Sequence, residues 1–402
     1  MNQNDRIFAL STLWKHADAV FPYFDRNPID WDAAYRETLA QICDGGEADF
    51  HLLMTRFLAR LGDGHTDYLP PRRLRETRGF APFRLEYDGA WYVRYIAPEG
   101  AALLGAEVTT LNGVPFEDFL GRITPYCYHI GACIYPSKLD LLLPFFVEPR
   151  GNVLGTQAGD FPFDLTSPRP ELLHAPRDTG SLPLLSTSDG LVLRRAGDIL
   201  LAEIPDLLHG GTAKYLAEAM DTQRPEKVVL DLRDCIGGMT SIGAEIAQLF
   251  IDGEFPVCAK WTRSLRGSDL AVASQYGREL RDERLLRVVH RMEFEHYVQR
   301  LGTPGRKACF TGPVTLLTSR ATISAAEELC AMFRANARAR LIGQSTHGST
   351  GTPLLLRLPD DATARIVSIG TRLTDGTEFI GCGIVPECSV PARKALRAAL
   401  AE

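Results

Sequence analysis

No stretch of the chain is apolar for long enough to span a bilayer, and no run of basic residues occurs in it. With a formal net charge of −6, it gives no electrostatic reason to expect nucleic acid or an acidic membrane as a partner. The start, MNQNDRIFALSTLW, lacks the basic opening, long apolar centre and small-residue cleavage site of a secretory signal. Nine cysteines are scattered without a Cys-x-x-Cys pair or a Cys/His ligand spacing, so neither a disulfide framework nor a zinc site is indicated. These absences point to the cytoplasm and to a protein without metal or cofactor. One more absence bears on mechanism: no lysine occurs between Lys307 and Lys394.

What is present centres on Thr315–Gly351. An apolar run, Val314 to Leu317, reads as a buried strand, and a polar break follows to Thr322. Ala325, Leu329, Met332 and Phe333 then mark one face of a helix. Ser324 stands at the junction, where unpaired backbone N–H groups and the positive end of the helix dipole meet. Such amides can form an oxyanion hole around a nucleophile. Locally, the same residues also read as a helix cap, with Thr322 or Ser324 as N-cap and Glu327 completing a capping box.

Two further stretches bear on that choice. KVVLDLRDCIGG (Lys227–Gly238) is an apolar strand, a charged turn and paired glycines, and LGDGHTDYLPP (Leu61–Pro71) sets His65 in a tight loop. In order, the motifs DGHT, DLRxxxGG, TxSAAE, GxxTxG and GxGIxP resemble one serine peptidase family. It includes the C-terminal processing (tail-specific) peptidases, the tricorn core peptidase and the repeats of interphotoreceptor retinoid-binding protein. The resemblance runs from about Trp14 to Val390. It implies an α/β fold with a ClpP/crotonase-like spiral core, an N-terminal helical domain and a PDZ-like β-rich insert.

Read in order, residues 1–75 form the helical domain, with Asp30 and Asp49 as helix caps and His65 in its closing loop. Residues 76–185 hold a hairpin over FRLEYDGAWYVRYI, a PDZ-like strand, Asn-Gly turn and helix (GAEVTTLNGVPFEDFL), and a Pro- and Gly-rich linker. Residues 186–402 alternate strands and helices as a catalytic α/β core. Within it, the charged stretch 262–306 is expected to be a helical insertion, with His290 and His296 on its solvated face.

The base is the open question. A serine hydroxyl is a weak nucleophile unless a neighbour takes its proton. The tail-specific relatives place a lysine in the segment that here reads Gly343–Ser349, and Ser349 stands where that lysine belongs. The resemblance therefore implies the tricorn-like mode, with His65 as general base. His347 is the rival, and Glu378 or Glu387 would be the orienting carboxylate. In the tricorn-like pattern a serine precedes the histidine and bridges to the carboxylate; here that residue is Gly64, so the bridge is absent or filled by another group. The oxyanion donors would be the amides of Gly237 or Gly238 and of Ala325.

The expected function is a serine endopeptidase or peptide hydrolase acting on a peptide or protein through an acyl-enzyme at Ser324. No nucleic-acid or membrane partner is expected, and a homo-oligomer is open. The alternatives are a non-catalytic ligand- or peptide-binding protein on the same fold, and an acyl transferase or esterase using the same serine.

Overall fold

The apolar runs Ile199–Glu203, Lys227–Asp231 and Val314–Thr318 lie side by side and parallel in the computed structural model. It describes residues 1–27, 29–42, 46–130, 133–174, 177–188, 190–263, 271 and 294–401. The three strands form the middle of a seven-stranded sheet. Leu184–Ser188 and Leu191–Ala196 extend it antiparallel on one side, and Arg340–Gly343 and Cys388–Ser389 extend it parallel on the other. Successive strand residues point to opposite faces, and here both faces are covered. Leu200, Val228, Leu230 and Leu316 pack with the helices Thr240–Ala247 and Ala325–Ala335. Leu201, Val229, Leu317 and Ile342 pack under the C-terminal helix Ala392–Leu400. That double coverage is why these runs are continuously apolar instead of alternating.

Of the N-terminal helices Gln3–Val20, Trp31–Gln41 and Glu47–Ala59, the second and third are the two that the sequence marked by their caps. Asp30 caps the second by accepting from the Ala33 amide at 2.9 Å. The third starts earlier than expected: Gly46 is its N-cap, and Asp49 reaches back to the Gly46 amide at 2.9 Å. Leu10, Leu13, Trp31, Phe50 and Phe57 share one core with Trp261, Ala364, Ile366 and Val367. Each such buried side chain is worth about 1.5–3 kcal/mol, so the helices are fused to the sheet region by their own hydrophobic face.

The hairpin Phe83–Tyr87/Trp91–Ile96 forms as its pattern implies. Val108–Leu111 leads through Asn112 and Gly113, at φ 53° and 75°, into the helix Phe116–Ile123. The poorly legible linker supplies the helix Pro136–Leu142 and two strands, Asn152–Thr156 and Gly159–Phe163. These strands join Val108–Leu111 in a four-stranded sheet.

The expected helical insertion 262–306 is corrected where it is described. Phe294–Gly302 is a strand, antiparallel to Glu254–Arg263, with His296 opposite Trp261. The backbone of the largely buried strand Glu254–Arg263 offers a pairing edge that a charged helix cannot satisfy, so tertiary pairing overrode the local pattern. His296 is exposed there, and His290 lies outside the described residues. Thr363–Val367 is a strand, whereas the GCGIVPE stretch is turn and irregular chain, with Gly381 and Gly383 both at positive φ. Among the described residues no helix is long and apolar enough to cross a membrane.

Candidate active site

Ser324 is placed by a pinned turn. Beyond Val314–Thr318, Ser319 Oγ donates to the Arg233 carbonyl at 2.5 Å and Thr322 Oγ1 to the Leu232 carbonyl at 2.8 Å. The Ile323 amide donates to the Cys235 carbonyl at 3.2 Å. Held at the end of the neighbouring strand, the chain enters the helix Ala325–Ala335 with Ser324 at φ 64°, ψ −131°. A non-glycine residue there costs on the order of 1–3 kcal/mol and persists only where its surroundings over-determine it. The result is half of a capping box. Glu327 accepts from the Ser324 amide at 3.3 Å, while the Ser324 hydroxyl faces away from the helix, toward His65.

His65 reaches this point through a small sheet. Asp67–Leu69 pairs with Thr363–Val367, Asp67 opposite Arg365, and the Arg365 guanidinium grips Asp67 at 2.8 and 2.6 Å. Thr66 Oγ1 accepts from the Val367 amide at 3.0 Å. These bonds close a gap of 259 residues: His65 Nε2 lies 2.9 Å from Ser324 Oγ. On the other side of the ring, Nδ1 lies 2.6 Å from Ser349 Oγ. Burial, then the charges of Arg365, His347 and Lys138, lower the His65 pKa to about 3. The imidazole is neutral at neutral pH, the form that accepts a proton.

The glycine pair lies against the serine. A Cβ on Gly237 would sit 2.7 Å from Ser324 Cβ, and φ there is 81°, so only glycine fits. The Gly237 amide faces the Cys235 sulfur. The amides of Gly238 and Ala325 have no acceptor among the described residues. Leu208, Ile236 and Met239, around this turn, are exposed. The charged turn is held by ion pairs: Arg233, fully buried, pairs with Asp231 at 2.6 Å, and Arg177 and Arg94 hold Asp234.

Glu327 is wholly buried under the site. Its carboxylate accepts from Thr346 Oγ1 at 2.5 Å, the Gly348 amide at 2.7 Å and the Ser349 amide at 2.8 Å, besides Ser324. Burial raises its pKa to about 7 against those four donors. The Ser324 amide in turn donates to the Ser349 carbonyl at 2.9 Å, so the segment 346–349 is laced to the start of the helix.

The remaining candidates lie elsewhere. His347 is fully buried between Tyr128 and Tyr135, with ring centroids 5.8 and 4.8 Å away. Neither of its ring nitrogens makes a hydrogen bond of normal geometry, although the Arg320 backbone lies near enough to oppose, weakly, a burial that lowers its pKa to about 3. The expected contact of Glu378 with His65 is not made. Its carboxylate, half-exposed, pairs with Arg26 and lies 3.9 Å from Arg372, because residues 379–383 turn away instead of continuing as a strand. Glu387 accepts from the Leu341 amide at 2.7 Å, on the sheet edge. Two lysines near the core are also occupied: Lys260 bonds Glu328 at 2.7 Å, and Lys138 pairs with Asp67.

One cluster among the described residues, Glu47, His51 and Asp360, gathers three possible metal donors within 4.8 Å. Arg73 pairs with both of its carboxylates and Tyr68 bonds His51 Nδ1, which makes it an ion-pair network. Sequence reasoning overlooked Ser349, noticed only as a missing lysine, and saw Glu327 only as a cap.

Residues 199–390 match the model of Peptidase family S41. A carboxyl-terminal-processing protease of Picosynechococcus sp. is 28% identical over 172 residues, 43% of this chain and 34% of that protein. Carboxyl-terminal-processing peptidase 3, chloroplastic, of Arabidopsis thaliana is 22% identical over 379 residues, 90% of this chain and 64% of that one. The chain thus spans about a third and just under two thirds of the length of these curated relatives. Mature CPAF complexed with lactacystin superposes with a TM-score of 0.69 at 13% identity, covering 99% of this chain and 96% of that one. The photosystem II D1 C-terminal processing protease gives 0.57 at 15%, covering 96% and 93%. At these identities the structural likeness is one of fold. By residues 199–390 and the order of its motifs, the chain is similar to Peptidase family S41, and both of these curated relatives are C-terminal processing proteases.

Proposed function

We propose that this chain is a serine peptidase in which Ser324 is the nucleophile and His65 the general base. The observation that carries the reading is the 2.9 Å approach of a neutral, buried imidazole to the hydroxyl of a strained residue at a helix N-terminus. In the first step Ser324 Oγ attacks the peptide carbonyl carbon and its proton passes to His65 Nε2. The developing oxyanion is received by the amides of Ala325 and Gly238, which have no acceptor among the described residues. As the C–N bond breaks, the proton on Nε2 goes to the departing amine and leaves an ester on Ser324. Water, activated by the same nitrogen, then releases the acid. The exposed Leu208, Ile236 and Met239 offer an apolar surface beside the glycines for the peptide's side chains. Ser349 at the position of the family's lysine, with Lys138 and Lys260 engaged by carboxylates, supports the histidine branch over a Ser–Lys pair.

The test is fluorophosphonate labelling, with the site located by mass spectrometry and the rate followed against pH. Label is expected on Ser324 alone, absent in Ser324→Ala and at least 100-fold slower in His65→Ala. The sequence by itself suggests a rate lost through pH 6–7, where imidazole ordinarily titrates. The environment moves that limb to acid: a pKa lowered to about 3 keeps His65 neutral at pH 5, and labelling should persist there. A limb near pH 7 would instead mark Glu327. No label, or label on another residue, would overturn the reading in favour of a binding protein on this fold.

A further inference from the structure

We propose that Ser349 is the positioning residue for His65, and that Gly64 is glycine to leave room for it. The inference rests on the Ser–His reading above. If Nε2 is to accept the Ser324 proton, the neutral ring must carry its own proton on Nδ1, and that N–H needs an acceptor. Ser349 Oγ, fully buried, stands 2.6 Å from Nδ1. Among the described residues no carboxylate bonds this nitrogen: Asp63 accepts from the His65 amide at 3.0 Å, and Glu378 is at the surface.

Gly64 supplies the second observation. Its backbone does not lie in the left-handed region, so glycine is not required there for conformation. It is required for space. A Cβ at position 64 would lie 2.5 Å from Ser349 Oγ and 2.8 Å from Ser349 Cβ, inside any permitted contact. A side chain at 64 and the Ser349 side chain would therefore occupy the same spot beside Nδ1. Position 64 is empty because the hydroxyl arrives from 285 residues further on, across the interface of the histidine loop and the core.

The hydroxyl itself is held. The Ser349 amide donates to Glu327 and its carbonyl accepts from the Ser324 amide, so nucleophile and orienting group share one rigid frame. Throughout the reaction the Nδ1 proton stays on His65. The protons that move all pass through Nε2, from Ser324 to the leaving amine in acylation and from water back to Ser324 Oγ in deacylation. Ser349 fixes the tautomer and the ring plane without taking up charge.

The experiment compares kcat/KM, fluorophosphonate labelling and the His65 tautomer by 15N NMR of histidine-labelled protein, the His65 signals being assigned by their loss in His65→Ala. In wild type the Nδ1–H tautomer should dominate. Ser349→Ala, which removes only the hydroxyl, should lower kcat roughly 10- to 100-fold with KM little changed, and should mix the tautomers. Gly64→Ser alone should be impaired by the clash. Combined with Ser349→Gly it should recover at least about tenfold over Ser349→Gly alone, together with the Nδ1–H signal, because the hydroxyl is returned from the other side; this recovery is a readout that a merely structural role would not give. Ser349→Ala within twofold of wild type and with an unchanged tautomer would overturn the proposal. So would folded double and single variants of equal activity. The controls separate the two readings. If Ser324→Ala and His65→Ala keep activity, the Ser–His reading itself falls; if they lose it while Ser349→Ala does not, only the role of Ser349 falls.

Discussion

The loops 61–67 and 343–351 each carry a buried histidine, and burial lowers the pKa of both His65 and His347 to about 3. By composition and desolvation the two are near equals. They differ in what their ring nitrogens meet. His65 touches a hydroxyl on each side, Ser324 and Ser349. His347 lies between two tyrosine rings, and its nitrogens lack normal partners. Its firm polar contact is through its backbone, the amide donating to the Thr322 carbonyl at 2.8 Å. A perturbed pKa thus marks the neighbourhood of a site without naming its acting residue; geometry does that.

The sharpest way to break the comparison is to exchange the fates of the two rings. His65→Ala should lower kcat/KM by roughly 10³-fold or more, while His347→Phe, which keeps a ring between the tyrosines, should stay within a few-fold of wild type. Peptidase assays on the two purified variants decide it, and a dead His347→Phe with an active His65→Ala would reverse the assignment.

A smaller effect separates them in stability. His347 has a folded pKa below its unfolded one, so between those values the unfolded chain binds the extra proton and stability falls as pH falls. His347→Phe removes that liability and two poorly satisfied polar atoms. Its stability relative to wild type should therefore improve by about 2 kcal/mol between pH 7 and pH 5. Asp63, Lys138 and Glu327 titrate alike in both proteins and cancel from the difference. Parallel denaturant melts at the two pH values measure it, and a constant difference would mean that His347 is not desolvated as described.

The smallest expected change is at the surface. Glu378→Gln should leave turnover within about twofold of wild type, since its pairing with Arg26 and Arg372 is of the exposed kind worth at most about 1 kcal/mol. A loss of orders of magnitude in steady-state turnover would return a carboxylate role to Glu378.

Much of the core was legible because its signals are local. Val228–Leu230 and Val314–Leu317 are apolar on consecutive positions, as strands covered on both faces must be. The break before Ser324 and the helical period after it place that serine at an N-terminus from sequence alone. Charged residues beyond the core deceived for the opposite reason: Phe294–Gly302 is a strand because Glu254–Arg263 offers it an edge, and no local pattern records a partner's edge. Glu378 was mistaken by extending a strand through glycines that turn.

The strand–helix junction at Ser324, the glycine turn before Gly238 and the missing lysine were therefore determined by the sequence itself, since each depends on neighbours within one turn or one strand. The pairing of His65 with Ser324 was proposed from the order of motifs, but its distance, and the neutrality of the ring, follow from a small sheet that joins residues 298 positions apart, Asp67 and Arg365. The partnership of Gly64 with Ser349 was decided by tertiary structure alone. A glycine kept for space and a serine that fills that space carry no shared local signal, because the contact between them is made only when the histidine loop closes over the core.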